Sequence, residues 1–238
     1  MVEADDAVLI IGAGIAGASL AWRLARAGRP VTLIEREPQP GMHSTGRSAA
    51  MFMASYGPPG VRALTRASLD FYLQPPAGFA EQPLLSPRRA LFVATAEQQP
   101  ALARMRADLT ASGTTTTLLN SEQLALSAPA LRPGMFQNAL LDAQGYDIDV
   151  HALLQGFLRG ARQAGARLRT GVEPQLARHD GQRWQVTLSD GSAWTGRTVV
   201  DAAGAWADQV AVLFGAAPIG LEPRRRRPGP VADGGRRR

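Results

Sequence analysis

The sequence predicts an α/β fold built on a parallel sheet, and three observations near its start carry that reading. Ala7–Ile11 is a short continuous apolar run, as expected of a strand buried on both faces. Ile15–Ala27 follows with Leu20 and Leu24 at helical spacing among small alanines, and Gly28 closes it. Val31–Ile34 is a second apolar run. Strand, helix and strand at these lengths make a βαβ unit, which implies parallel strands and a right-handed crossover.

The later elements are read in order. Gly41–Pro59, rich in Gly, Ser, Met and Pro, is expected to be an ordered loop with a short helix near Arg47–Ala50. Val61–Leu73 reads as a helix, Pro75–Pro87 as a turn-rich connection, Leu91–Thr95 as a strand and Ala96–Ser112 as a helix. Ser121–Leu126 reads as a short helix opened by its serine. Asp149 is the expected cap of a helix over Val150–Ala164, with Leu153, Leu154, Phe157 and Leu158 on one face. Ala166–Thr170, Trp184–Leu188 and Thr198–Asp201 read as strands, and Asp190-Gly191 as a hairpin turn.

Composition narrows the function classes. The chain has 238 residues, 45% hydrophobic and 19% charged, which suits one or two soluble globular domains. It has no cysteine, which excludes disulfides and thiolate metal sites, and its three histidines are scattered. Residues 224–238 hold seven arginines and one acid, Asp233, so the whole net charge of +6 sits there. That stretch has one valine as its only large apolar residue and is expected to be disordered. A basic tail suits polyanions, but it lacks interleaved aromatics, and no nucleic-acid partner is expected. The acidic N-terminus argues against a secretory signal, and the apolar stretch Ala7–Ala21 is too short to span a bilayer. A cytoplasmic location without a membrane span is expected.

The first chemical motif is Gly12-Ala13-Gly14-Ile15-Ala16-Gly17, a G-x-G-x-x-G between strand and helix. Gly12 permits the tight turn, Gly14 lets a pyrophosphate approach the backbone, and Gly17 lets helix pack on strand. Ile15 and Ala16 open a helix whose N-terminus offers N–H groups and a partial positive charge to phosphates. Glu35 ends the second strand, 18 residues after Gly17, where an acid accepts from a ribose 2′-OH; it argues against a 2′-phosphate. The parallel sheet is therefore expected to be of the Rossmann, dinucleotide-binding type.

Two further segments have two readings each. Gly41-Met42-His43-Ser44-Thr45-Gly46-Arg47-Ser48-Ala49-Ala50 suits a diphosphate through Ser44, Thr45, Arg47 and Ser48, with Ala49 and Ala50 small enough to lie against a flat ring. It reads equally as a glycine–serine loop with a capping serine. Val199-Val200-Asp201-Ala202-Ala203-Gly204-Ala205-Trp206 suits a return beneath a bound diphosphate; it reads also as an ordinary strand-to-helix turn capped by Asp201.

Together the segments resemble the D-amino acid oxidase family of FAD enzymes, most closely its D-arginine dehydrogenase branch. The likeness runs from Asp6 to about Arg226. It includes Val61-Arg62-Ala63-Leu64-Thr65, Pro75-Pro76-Ala77-Gly78-Phe79, Pro83-Leu84-Leu85-Ser86-Pro87-Arg88 and Ala202-Ala203-Gly204-Ala205-Trp206. The resemblance implies non-covalent FAD, contacted by the glycine motif, Glu35, Arg36, Ser44–Ala50, Val172, Ala203, Gly204 and Trp206. It implies an FAD-binding domain over residues 1–83 and 145–216. An inserted α+β substrate domain is expected over 84–144, continuing into 217–226, with a disordered tail over 227–238. It implies oxidation of a D-amino acid to an imino acid, with electrons passed to a quinone or an electron-transfer protein rather than oxygen. Tyr56 matches the loop shielding the substrate, and Arg226 the arginine gripping its carboxylate, for which a bidentate guanidinium is the physical reason.

The departures matter as much. The D-arginine branch has a histidine where this chain has Met51 and a glutamate where it has Ala90. After Arg226 the family pattern stops and arginine, proline and glycine follow, so the expectation is a truncated, inactive copy with a frameshifted end; an evolved basic tail is the alternative. No catalytic residue is assigned. The competing functions are a non-catalytic FAD-binding fragment with a polyanion-binding tail, and an enzyme of sarcosine, glycine or a 2-hydroxy acid.

Overall fold

A computed structural model describes residues 6–224. The Arg226 assignment and the disordered-tail expectation lie outside these residues. The strands are β1 (Val8–Ile11), β2 (Val31–Glu35), β3 (Met51–Phe52), β4 (Leu85–Ala94), β5 (Thr117–Leu119), β6 (Asn138–Ile148), β7 (Arg167–Thr170), β8 (Pro174–His179), β9 (Trp184–Leu188), β10 (Ala193–Gly196) and β11 (Thr198–Asp201). The α-helices are α1 (Ile15–Arg26), α2 (Pro59–Leu73), α3 (Gln99–Ala111), α4 (Ser121–Ser127), α5 (Val150–Gln163) and α6 (Ala207–Leu213). The chain divides into two compact units, one of residues 6–49, 76–84 and 149–224, the other of 50–75 and 85–148.

The first unit contains the parallel sheet, in the order β11-β1-β2-β7. All four residues of β1 are buried, which is why it reads as an unbroken apolar run. A second, antiparallel sheet β10-β9-β8 belongs to the same unit. Leu9, Ile11, Ile34, Val172, Val186 and Leu188 form a core with Trp184, Trp194, Val210 and Phe214 packed against it. Helices α1 and α5 lie side by side, and Trp22 of α1 meets Phe157 of α5 at 5.4 Å and Phe79 at 5.7 Å between ring centroids. The close approach needs glycine on α5: a Cβ on Gly160 would stand 2.6 Å from Trp22 Nε1. Asp149 caps α5 as expected, its carboxylate accepting from the Ala152 N–H at 2.8 Å.

The second unit is an antiparallel sheet of order β3-β6-β4, with β5 also pairing β6. Helix α3 packs on it through Leu102, which joins Ala94 and Leu140 in a small core. Strand β6 is its long central member, and the sequence reading missed it. No element was read over these residues, whose Asp142, Gln144 and Gly145 are poor strand formers; Asp142 pairs with Ala90 and Gly145 with Arg88 of β4.

Residues 50–75 group with this second unit, not with the parallel-sheet unit where the sequence reading put them. The cause is β3, whose Met51 and Phe52 pair with Asp147 and Tyr146, and Phe52, which also meets Tyr72 at 5.3 Å. Residues 145–148 follow because they are the end of β6, and 217–224 group with the first unit. The short helix expected near Arg47–Ala50 is a series of turns instead. It ends at Ala50, whose φ of 54° leaves the right-handed helical region and feeds β3. Strand β4 begins at Leu85, inside the expected connection, and carries a bulge between Arg88 and Ala90. The expected helix 96–112 opens as a single 3₁₀ turn before α3. The cap of α4 is Asn120 rather than Ser121: its side chain accepts from the Gln123 N–H at 2.9 Å.

Candidate nucleotide-binding site

The site of the first unit grows from the turn after β1. The Gly12 N–H donates to the Ile34 carbonyl at 2.8 Å, and the Ala202 N–H donates to the Ile11 carbonyl at 2.9 Å. The turn is thus held between the ends of β2 and β11. Gly12 has φ 101°, and a Cβ there would stand 2.4 Å from the Ala202 carbonyl oxygen. A Cβ on Gly17 would stand 1.9 Å from the Gly12 carbonyl oxygen, so its absence lets α1 close on the turn.

Helix α1 starts without a cap of its own, because Gly14 has no side chain and the first turn holds no acid. The Thr45 hydroxyl, 30 residues away, accepts from the Ile15 N–H at 3.0 Å. This brings the segment after β2 onto the helix N-terminus, where N–H groups and the helix dipole favour an anion. Glu35 completes the frame: its carboxylate accepts from the Ala13 N–H at 2.9 Å and from the Glu37 N–H at 3.0 Å.

These groups line a groove of about 330 Å³. Of the predicted residues, Gly12, Gly14, Ile15, Ala16, Glu35, Arg36, Ser44, Thr45, Val172, Ala203, Gly204 and Trp206 lie along it. Gly17 lies behind it as a packing residue, and Arg47, Ser48, Ala49 and Ala50 are not part of its wall. Sequence reasoning missed Ile11, Ile34, Pro174 and Val210 among the wall residues, and held Met42 and His43 only as part of the segment suited to a diphosphate. Their signal is weak, since apolar strand ends read as core. Met51, Tyr56 and Ala90 all belong to the second unit; Tyr56 is exposed, and Ala90 stands opposite Asp142 across the sheet ladder.

A stack of side chains stands beside the groove. The Arg36 guanidinium lies 3.9 Å from the Trp206 ring centre, and the His43 ring 4.6 Å from it. Glu37 joins both side chains, with Oε1 at 2.9 Å from His43 Nε2 and 3.3 Å from Arg36 Nε. The hydrogen bond from His43, aided by Arg36, holds the Glu37 carboxyl below its ordinary range against the opposing effect of burial. Asp201 shifts the other way: burial first, then the nearby Asp208 charge, raise it, although it accepts from the Ala203 N–H at 2.9 Å. That bond makes a local turn leading into the 3₁₀ segment Gly204–Trp206; Asp201 does not cap α6, whose preceding residue is Trp206.

The residues suit the adenosine diphosphate half of a dinucleotide. The glycine cradle leaves no room for side chains, Thr45 and the α1 N-terminus face the groove, and Glu35 offers a carboxylate at the end of β2. The model of the DAO family, described as FAD dependent oxidoreductase, matches residues 7–228. The chain belongs to that family. The cofactor of the family is FAD.

Solved structures of similar fold include glycine oxidase from Geobacillus kaustophilus, with a TM-score of 0.78 and 21% identity over 87% of this chain. L-proline dehydrogenase from P. horikoshii gives 0.75 and 22% over 90%. L-α-glycerophosphate oxidase from Mycoplasma pneumoniae, with FAD bound, gives 0.76 and 19% over 87%. The chain spans 58%, 57% and 56% of those three chains respectively. Among curated proteins, the tRNA 5-methylaminomethyl-2-thiouridine biosynthesis bifunctional protein MnmC of Magnetococcus marinus is 50% identical over 50 residues. That match covers 21% of this chain and 8% of the relative. Among the described residues no helix is long and apolar enough to cross a membrane, and no group of His, Cys, Asp or Glu could hold a metal ion.

Proposed function

We propose that the whole protein to which this chain belongs is an FAD-dependent dehydrogenase of apolar D-amino acids. The family match carries the reading, and the Glu35–Ala13 frame around the glycine turn supports it. A bound flavin would supply the hydride acceptor for oxidation of the amino acid to the imino acid. Glu35 accepts from the adenosine ribose hydroxyls, Ser44, Thr45 and the α1 N-terminus take the diphosphate, and Val172 packs beside the adenine. Arg226 pairs the substrate carboxylate, Tyr56 shields the substrate, and Met51 and Ala90 shape its side-chain pocket. Electrons leave to a quinone or an electron-transfer protein.

The absence of an acid at Ala90 supports an apolar preference. Asp142 faces Ala90 across the ladder, but it is buried and already accepts from Ser55 Oγ at 2.5 Å and the Gln144 N–H at 2.8 Å. No residue of this chain is assigned a catalytic role. The test is anaerobic bleaching of the flavin in the full-length parent protein by D-leucine, D-methionine, D-arginine, glycine and sarcosine. Bleaching by the apolar D-amino acids fits the proposal; bleaching by glycine or sarcosine alone refutes it. Acid precipitation should release the flavin into solution. Colour retained in the pellet would point to a covalent link, with His43 the residue to check first.

A further inference from the structure

Among the described residues Asp142 is the most deeply buried polar one, 1% exposed, and the proposed reaction does not use it. It follows the buried Ala139, Leu140 and Leu141 on β6. None of the ion pairs among the described residues includes it. A carboxyl group in such surroundings is less stabilising than an apolar side chain of similar size. Both its oxygens are nonetheless engaged. Oδ1 accepts from the Gln144 N–H at 2.8 Å, where the β4–β6 ladder shifts register between Arg88 and Ala90. Oδ2 accepts from Ser55 Oγ at 2.5 Å, 87 residues away in the chain.

The Ser55 bond reaches the turn that joins β3 to α2. Ser55 is 3% exposed and the next residue, Tyr56, is 57% exposed, so the chain passes from core to surface in one step. The Tyr56 N–H donates to the Met53 carbonyl at 3.3 Å and closes the turn. Gly57 leaves it at φ 89°, a left-handed conformation that glycine adopts without strain. Phe52, paired with Tyr146 of β6, fixes one end, and α2 begins at Pro59 on the other. Between these ends Ser55 is the one buried residue, and Asp142 is its partner.

We infer that Asp142 and Ser55 are positioning residues that hold this turn, and with it Tyr56, in the shape used toward the substrate. The inference rests on the shielding role proposed for Tyr56, and both residues act through that side chain. A hydrogen bond fixes distance and direction, which an apolar contact between the same two positions does not. A turn already in its binding shape has less disorder to lose when substrate arrives. The anchor therefore acts on KM and leaves kcat unchanged.

The test is made on the full-length parent protein with FAD bound. Ser55→Ala/Asp142→Leu replaces the bonded pair by an apolar one, while Gln144, exposed, turns to water. This variant is expected to melt at or above the temperature of the unaltered protein. Its Tyr56 and Gly57 amides should nevertheless exchange hydrogen about tenfold faster. KM for D-leucine, or for whichever amino acid of the bleaching assay is turned over, should rise about tenfold with kcat unchanged. Ser55→Ala alone should show the same exchange and the same KM, even where it melts lower. Asp142→Asn keeps an oxygen for the Gln144 N–H and offers an N–H to Ser55 Oγ, so exchange should return to the unaltered rate. The deciding comparison adds Tyr56→Ala, after which removing the anchor should change KM no further. If Tyr56→Ala by itself leaves KM unchanged, the shielding role fails and the inference falls with it. If Tyr56→Ala raises KM and the anchor variant adds its full effect on top, the shielding role stands and the inference alone is overturned. Unchanged exchange at Tyr56 and Gly57 in the double variant overturns it as well.

Discussion

The Glu35 carboxylate accepts the Ala13 backbone N–H at 2.9 Å, so the acid ending β2 is tied to the turn that follows β1. A carboxylate has about four lone-pair positions, and Ala13 and Glu37 engage two of them. The others remain able to accept, and in the proposed function they take the ribose hydroxyls. Glu35→Ala should weaken FAD about tenfold or more, since a hydrogen bond to a charged group contributes about 1.5–3 kcal/mol. Titration of apoprotein followed by flavin fluorescence measures this, and an unchanged dissociation constant would remove Glu35 from the site.

The two outer glycines should fail for different reasons. Gly12→Ala sets a methyl 2.4 Å from the Ala202 carbonyl oxygen at φ 101°. Gly17→Ala sets one 1.9 Å from the Gly12 carbonyl oxygen, where φ is unremarkable. Backbone strain of about 1–3 kcal/mol is expected at Gly12 in addition to the clash. Both variants should melt lower than the unaltered chain and elute with less bound flavin. Gly28→Ala, which meets nothing within 4 Å but has φ 78°, serves as the strain-only control.

Thr45 caps a helix 30 residues before it in sequence. Thr45→Val preserves shape and removes the acceptor for Ile15. Loss of about 1 kcal/mol is expected, seen as a lower urea midpoint with unchanged slope in the apoprotein. Equal midpoints would show that the bond contributes nothing net.

The pH dependences of Glu37 and Asp201 should have opposite signs. The Glu37 carboxyl is held below its ordinary value of about 4.3, so its stabilising pairing is present above that pH and disappears as pH falls through the lower folded value. His43→Gln should return it toward the ordinary value, read by NMR titration. The Asp201 carboxyl is held above its ordinary value of about 3.9, so the folded state binds its proton more readily than the unfolded state. Its penalty is fully present above the raised value and fades as pH falls. Asp201→Asn, which still accepts from Ala203, should melt higher than the unaltered chain at pH 7, with the gap closing in acid. A gap that widened in acid would refute the assignment.

In the proposed function, Met51 and Ala90 set the substrate preference. A buried guanidinium without its partner costs about 3–5 kcal/mol, more than a hundredfold in affinity. In the full-length parent protein, kcat/KM for D-leucine or D-methionine should exceed that for D-arginine by about that factor. Ala90→Glu should narrow the difference. Faster D-arginine turnover in the unaltered protein would contradict the proposal.

Much of the nucleotide unit was legible in the residues. The βαβ pattern, Gly12, Gly14 and Glu35 are local signals, and they lie together along the groove. The second unit was less legible. Strand β6 carries Asp142, Gln144 and Gly145, each a poor strand former alone, and only its neighbours β3, β4 and β5 make a ladder of it. Strands β8 and β10 were missed because a leading Pro174 and a four-residue length give little periodicity.

By itself, the sequence determined the first strand, helix and strand, the dinucleotide motif between them and the cap of α5 by Asp149, because each depends on contacts within a short stretch of chain. Only the tertiary structure decided that Thr45 caps α1, that Glu35 holds the Ala13 N–H, that residues 50–75 join the antiparallel sheet and that α2 buries Arg62 while exposing Leu64. Those outcomes rest on pairings between segments distant in the chain. Hydrophobic period and turn chemistry carry no record of which distant partner arrives.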